Sequence, residues 1–159
     1  DVQSVCQKYH VPLIINDDVE LCKEIDADGV HIGQDDLDLK ETRKLLGEDK
    51  IVGATAKTVE QAQKAYSEGA DYLGTGAIFP TTTKVKTVLT PVSRLNDVCR
   101  SVPIPVVAIG GLNAGNMDVL NGSPIDGIAV VSAIMKSANP EAAARELFAR
   151  VRVIKENNR

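Results

Sequence analysis

The chain has 159 residues, 43% of them hydrophobic and 25% charged, a composition that supports one globular domain with a real core and excludes disorder. No apolar run approaches the roughly 20 residues a membrane helix needs. A net charge of -4 without a basic stripe, and 3% aromatic residues without tryptophan, exclude nucleic acid as the main partner.

Asp1 opens the chain with neither an initiating Met nor a signal-peptide pattern, which reads as a cut chain. From Asp1 to Tyr9 apolar residues recur at helical spacing (Val2, Val5, Cys6, Tyr9). Short β-branched runs then follow at intervals of about twenty to thirty residues, each trailed by an amphipathic stretch, as in repeated βα units. The expected strands are Pro12 to Asn16, Gly29 to Gly33, Ile51 to Ala56, Asp71 to Ile78, Val106 to Gly110 and Gly127 to Ser132. They are continuously apolar, as buried parallel strands are. Helical patterns lie between them, for example Asp18 to Ile25 and Thr58 to Ala65, and Pro140 to Glu156 is the longest.

Glu24-Ile25-Asp26-Ala27-Asp28-Gly29-Val30 and Glu68-Gly69-Ala70-Asp71-Tyr72-Leu73 nearly repeat, with Pro124-Ile125-Asp126-Gly127-Ile128 a looser third copy. Each closes a helix and feeds a strand. This punctuation favours an α/β fold of the (β/α)8 TIM-barrel kind over a doubly wound sheet, which would more often show a glycine-rich dinucleotide loop. About six units are visible where a barrel needs eight. Residues 1–159 are therefore expected to be the C-terminal three quarters of one barrel domain, N-terminally truncated, with its first two βα units absent; the alternative, a natural six-unit half-open barrel, would leave two strand edges exposed.

The richest segment is Pro80-Thr81-Thr82-Thr83-Lys84, where three hydroxyls and an ammonium follow an apolar strand. Such a set suits a phosphate or diphosphate. The acidic strand ends Asn16-Asp17-Asp18 and Gln34-Asp35-Asp36 fit beside a diphosphate if a hard cation sits between them. Singly, Asn16, Asp17, Asp35 and Asp36 could each be a helix N-cap. Together with Thr55, Gly110-Gly111 and Ser132 they fall where a barrel places its active site, at the strand C-termini. Gly110-Gly111 and Ser132 match a phosphate cradle, although a tight turn also explains the glycines. Two anion sites favour joining two substrates over an isomerisation. A different phosphorylated sugar would satisfy the same cradle.

Other residues carry less. His31 is expected to be a packed or loop-bonded side chain rather than an acid or base, and His10 a surface residue. Cys6, Cys22 and Cys99 are odd in number and widely spaced, giving neither a disulfide framework nor a zinc site. They suit a reducing compartment. No Ser-His-Asp or Cys-His pairing supports covalent catalysis.

Over nearly all its length the chain resembles thiamine-phosphate synthase. The motifs are Ile15-Asn16-Asp17-Asp18, Gly29-Val30-His31-Ile32-Gly33-Gln34-Asp35-Asp36, Gly69 to Gly76, Phe79-Pro80-Thr81-Thr82-Thr83-Lys84 and Ala108-Ile109-Gly110-Gly111, in family order. The resemblance implies a transferase of thiamine biosynthesis that couples hydroxymethylpyrimidine diphosphate to hydroxyethylthiazole phosphate with Mg2+, releasing diphosphate by a dissociative route. It assigns the metal to Asp17 and Asp36, and the pyrimidine diphosphate to Asn16, Thr55 and Lys84, the last two as catalytic residues. It assigns the thiazole phosphate to Thr81, Thr82, Thr83, Gly111, Val131 and Ser132. Thr55 stands where many members have Ser, which keeps the hydroxyl. The family's Gln-x-Arg-x-Lys strand is missing, so the isolated chain is expected to be weak or inactive. The alternatives are a thiazole tautomerase-like barrel and a non-catalytic phosphate-ligand binding barrel. The implied partners are small phosphorylated molecules, with no nucleic acid and no membrane, and with room for a homo-oligomer or a kinase domain fused in the parent. The expected location is cytoplasmic, or a plastid if the parent carries a transit peptide.

Overall fold

The computed structural model describes residues 1–81 and 88–157. Helix α1 (Val2–Lys8) precedes β1 (Ile14–Asn16), α2 (Val19–Glu24) and β2 (Gly29–Ile32). Then come α3 (Leu39–Leu46), β3 (Ile51–Thr55), α4 (Val59–Ser67), β4 (Tyr72–Gly76), α5 (Val92–Ser101) and β5 (Val106–Ile109). A 3-10 turn at Met117–Leu120 leads to β6 (Gly127–Ala129), α6 (Ser132–Met135) and α7 (Pro140–Glu156). The strands stand in sequence order and every neighbouring pair is parallel. The result is a six-strand parallel half-barrel. All six expected strands are present, shorter at their ends because the flanking residues turn away. Gly110, for instance, has φ 104° and lies just past the end of β5.

The two faces of the sheet differ, although the strands were expected to be apolar throughout. Val30, Ile32, Val52, Ala54, Leu73, Val106 and Ala108 are buried in the core that the helices cover. Helix α5 contributes Leu95 and Val98, three residues apart on one face and fully buried. The alternate residues, among them His31, Thr55 and Tyr72, are half-buried, and Ile109 is exposed. On β2, β3 and β4 this second face is lined by polar side chains and glycines, and on β5 by Val107 and Ile109.

The repeated phrases have a common structural cause. Asp28 Oδ2 accepts the Leu13 N–H at 2.7 Å, Asp71 Oδ2 the Val52 N–H at 2.7 Å, and Asp126 Oδ2 the Val106 N–H at 3.0 Å. Each Asp stands just before its own strand and ties the foot of the preceding one. Arg43, from α3, reinforces the middle tie. Its guanidinium lies 2.7 Å from Asp71 Oδ2 and also donates to the carbonyls of Gly47, Lys50 and Gly69, with its side chain 11% exposed. Asp71→Ala would leave the Val52 N–H and this guanidinium without their carboxylate. Because Asp71 is itself half-exposed, the expected loss is about 1–2 kcal/mol in urea denaturation. Asp71→Asn, which keeps an acceptor, should lose less, and an unchanged midpoint in Asp71→Ala would refute the tie.

Candidate active site

The strand C-termini carry the candidate site. Asn16, the last residue of β1, and Asp17 after it are both exposed. Asp17 N–H donates to His31 O at 2.8 Å, extending the β1–β2 ladder, and Asp18 N–H donates to Asn16 O at 2.9 Å. That i to i+2 bond around a residue at φ 67° closes a γ-turn, a costly conformation that tends to cluster at functional sites. Neither Asn16 nor Asp17 caps the helix. Asp18 does, accepting the Leu21 N–H at 2.9 Å. After β2 the cap is Asp38, which accepts the Lys40 N–H, so Asp35 and Asp36 are not caps either. Asp36 folds back so that Oδ2 accepts the Gly33 N–H, and a Cβ at position 33 would lie 2.9 Å from that oxygen. A shallow hollow beside the first acidic turn is lined by Asp17, Asp18, Val19, Glu20 and Leu37.

These donors fit a hard divalent cation. Mg2+ is commonly held by one or two carboxylates with water and substrate oxygens completing the shell, and Asp17 and Asp36 are carboxylates on adjacent strand ends. Among the described residues no cluster of three His, Cys, Asp or Glu side chains forms a metal site on its own.

Thr55 ends β3 and is half-buried. Its Oγ1 lies 3.1 Å from His31 Nε2, while its carbonyl accepts from the Gln34 side-chain amide. His31 Nδ1 in turn lies 3.0 Å from Tyr72 Oη. The histidine expected to be packed is thus bonded through both ring nitrogens to side chains on two other strands. Sequence reasoning missed Tyr72 and Gln34. The signal available was their place in the strand pattern, but the register that joins them is not written in any local motif.

Past β4, the N–H groups of Ile78 and Phe79 donate to Ile109 O and Gly110 O, each at 3.0 Å. Thr81 is half-buried, whereas Thr82, Thr83 and Lys84 lie outside the described residues. The buried Thr90 donates Oγ1–H to Gly76 O and its N–H to Ala77 O, returning the chain to the same strand end. Gly111, at φ 63°, has no room for a side chain: a Cβ would meet Phe79 Cβ and Pro80 O at 2.7 Å. Asn116 Nδ2 donates to its carbonyl at 2.9 Å. On the neighbouring strand end, Val131 and Ser132 are exposed at the start of α6. The structure thereby gathers Asn16, Asp17, Asp36, Thr55, Thr81, Gly111, Val131 and Ser132 at one end of the sheet.

A sequence model of the thiamine monophosphate synthase family matches residues 1–134. The chain belongs to that family. It is 49% identical over 147 residues to the thiamine-phosphate synthase of Methanobrevibacter smithii, covering 92% of this chain and 70% of that protein. To thiamine-phosphate synthase 2 of Streptococcus pneumoniae it is 52% identical over 141 residues, covering 89% and 67% respectively. The solved thiamine phosphate pyrophosphorylase of Pyrococcus furiosus superposes with a TM-score of 0.87 at 33% identity, over 96% of this chain and 73% of that one. Membership of the thiamine monophosphate synthase family makes the chain an enzyme of synthase type, and these relatives do not favour a tautomerase-like or purely binding barrel.

Cys22 and Cys99 offer no nucleophile to such chemistry. Burial, with the Asp126 carboxylate adding to it, pushes the Cys99 thiol up to about 12, and burial also raises Cys22. A value near 12 leaves thiolate roughly a thousandfold rarer than at an unperturbed thiol. In the folded protein at pH 8, Cys22 and Cys99 should resist Ellman's reagent and become reactive on addition of urea. Rapid native labelling of Cys99 would contradict this.

Proposed function

We propose that this chain carries the coupling face of a thiamine-phosphate synthase, joining hydroxymethylpyrimidine diphosphate to hydroxyethylthiazole phosphate with release of diphosphate. The observation that carries this reading is the separation of roles at the strand ends. Asp18, Asp38 and Thr58 cap the helices, while Asn16, Asp17, Asp36 and Thr55 stand at neighbouring strand ends without capping them. On this reading the six strands are six of the eight in a (β/α)8 barrel.

Asn16 and Thr55 would hold the diphosphate through their amide and hydroxyl, with Lys84 supplying positive charge. Asp17 and Asp36 would hold Mg2+, which when bound neutralises the diphosphate as a leaving group. Gly111, Val131 and Ser132, with Thr81, Thr82 and Thr83, would receive the thiazole phosphate through backbone N–H groups and hydroxyls. The proposed route is dissociative: the carbon–oxygen bond to diphosphate breaks first, the aminopyrimidine stabilises the methylene cation, and the thiazole nitrogen attacks it. No protein nucleophile is required, which agrees with the suppressed thiols. The protein then contributes alignment of two substrates and stabilisation of departing charge.

Two outcomes are expected of the protein at its natural length, supplied with both substrates and Mg2+. It should form thiamine phosphate, and Asp17→Asn should lower kcat/KM by roughly a hundredfold while keeping the fold, because Asn tolerates the same positive φ. A folded protein that forms no product would overturn the reading. Residues 1–159 alone should turn over slowly or not at all, and turnover matching the natural-length protein would contradict that.

A further inference from the structure

His31, Gly53 and Tyr72 occupy one row across β2, β3 and β4, and Thr55 and Gly74 pair two residues further toward the strand ends. Two aromatic rings fill the space the glycines leave. A Cβ at Gly53 would lie 2.2 Å from the Tyr72 ring and 2.5 Å from its Oη, and one at Gly74 would lie 3.1 Å from His31 Cε1. Glycine weakens a strand interior and often marks a close approach of another group, so both positions make sense as room for these rings. The rings lean together, with centroids 5.4 Å apart and planes tilted by 40°.

The hydrogens in this chain of contacts can run in one functional direction. A neutral imidazole has one donor and one acceptor nitrogen, and a Thr or Tyr hydroxyl has a single hydrogen to give. An anionic oxygen accepts only. For Thr55 to donate to such an oxygen, its Oγ1 must accept from His31 Nε2–H, 3.1 Å away. Nδ1 is then bare and must accept from Tyr72 O–H, 3.0 Å away. Burial raises the Tyr72 phenol above its ordinary value, so that hydrogen stays in place. The reverse polarity would turn the lone pairs of Thr55 toward an anion. Gln34 fixes the other side of the residue by donating to the Thr55 carbonyl.

We propose that Tyr72 and His31 are positioning residues that form a directed hydrogen-bond relay, Tyr72 to His31 to Thr55, holding the Thr55 hydroxyl as a donor toward diphosphate oxygens at the mouth of the sheet. This rests on the reading of Thr55 as a diphosphate contact. Because His31 acts through Thr55, the relay serves binding of the diphosphate group rather than proton transfer.

The test joins a spectroscopic and a binding measurement on the natural-length protein. With ¹⁵N-labelled histidine, the signal assigned by its loss in His31→Gln, neutral His31 should show its proton on Nε2; a proton on Nδ1 overturns the relay without any change to its members. The binding probe is inorganic diphosphate with Mg2+, followed by calorimetry. Thr55→Val should weaken binding, and Tyr72→Phe, which keeps the ring, should weaken it by roughly fivefold, the worth of one ordinary hydrogen bond. In the Thr55→Val background Tyr72→Phe should have no further effect. An equal loss in both backgrounds would mean a merely structural Tyr72 and overturn the relay. Unchanged binding in Thr55→Val would instead overturn the diphosphate reading of Thr55, and the relay's purpose with it.

Discussion

Three carboxylates at the feet of the strands set the frame on which everything at the other end depends. In a parallel sheet a slip of one residue turns every side chain to the opposite face. Asp28, Asp71 and Asp126 oppose such a slip by each binding a backbone N–H at the foot of the neighbouring strand, a bond whose geometry belongs to one register. With that register fixed, His31 stands opposite Gly53 and Gly53 opposite Tyr72. The polar constellation at the strand tops therefore follows from ties made at their bottoms.

Stability and chemistry are accordingly divided along the length of each strand. The helix-covered face buries Val30, Val52, Leu73 and Val106 to 1% exposure or less, which makes it a close-packed layer sensitive to any change in volume. The opposite face gives up that packing to glycine and to paired aromatic and hydroxyl groups. Arg43 and the three carboxylates lie at the strand feet, whereas Asn16, Asp17, Thr55 and Gly111 lie at the tops. Changes to the second set need not disturb the first.

Much of this could be read from the amino acids. Apolar runs located all six strands, and Pro140 to Glu156 proved to be α7 from end to end, because proline at its start and a sustained helical period leave little ambiguity. The near-repeated Asp phrases signalled a recurrent structural unit, though not that each Asp binds the preceding strand. Adjacent acids were harder. In Asn16-Asp17-Asp18 any of the three side chains could cap a helix, and the choice of Asp18 depends on a backbone reversal at Asp17 that composition does not encode. His31 was harder still, since its two partners sit 24 and 41 residues away and meet it through the sheet register alone. The hydroxyl and ammonium groups of Thr82, Thr83 and Lys84 remain a sequence-level reading.

The positive φ at Asp17 bears on how this position can drift over generations. Left-handed backbone penalises most side chains and tolerates aspartate, asparagine and glycine, so the replacements that folding admits most readily are the very ones that erase the negative charge. Neutral drift has an open exit there. An acid retained at that turn in a lineage would record selection on the charge itself, and its replacement by asparagine or glycine would mark a lineage in which the charge had lost its use while the turn had not.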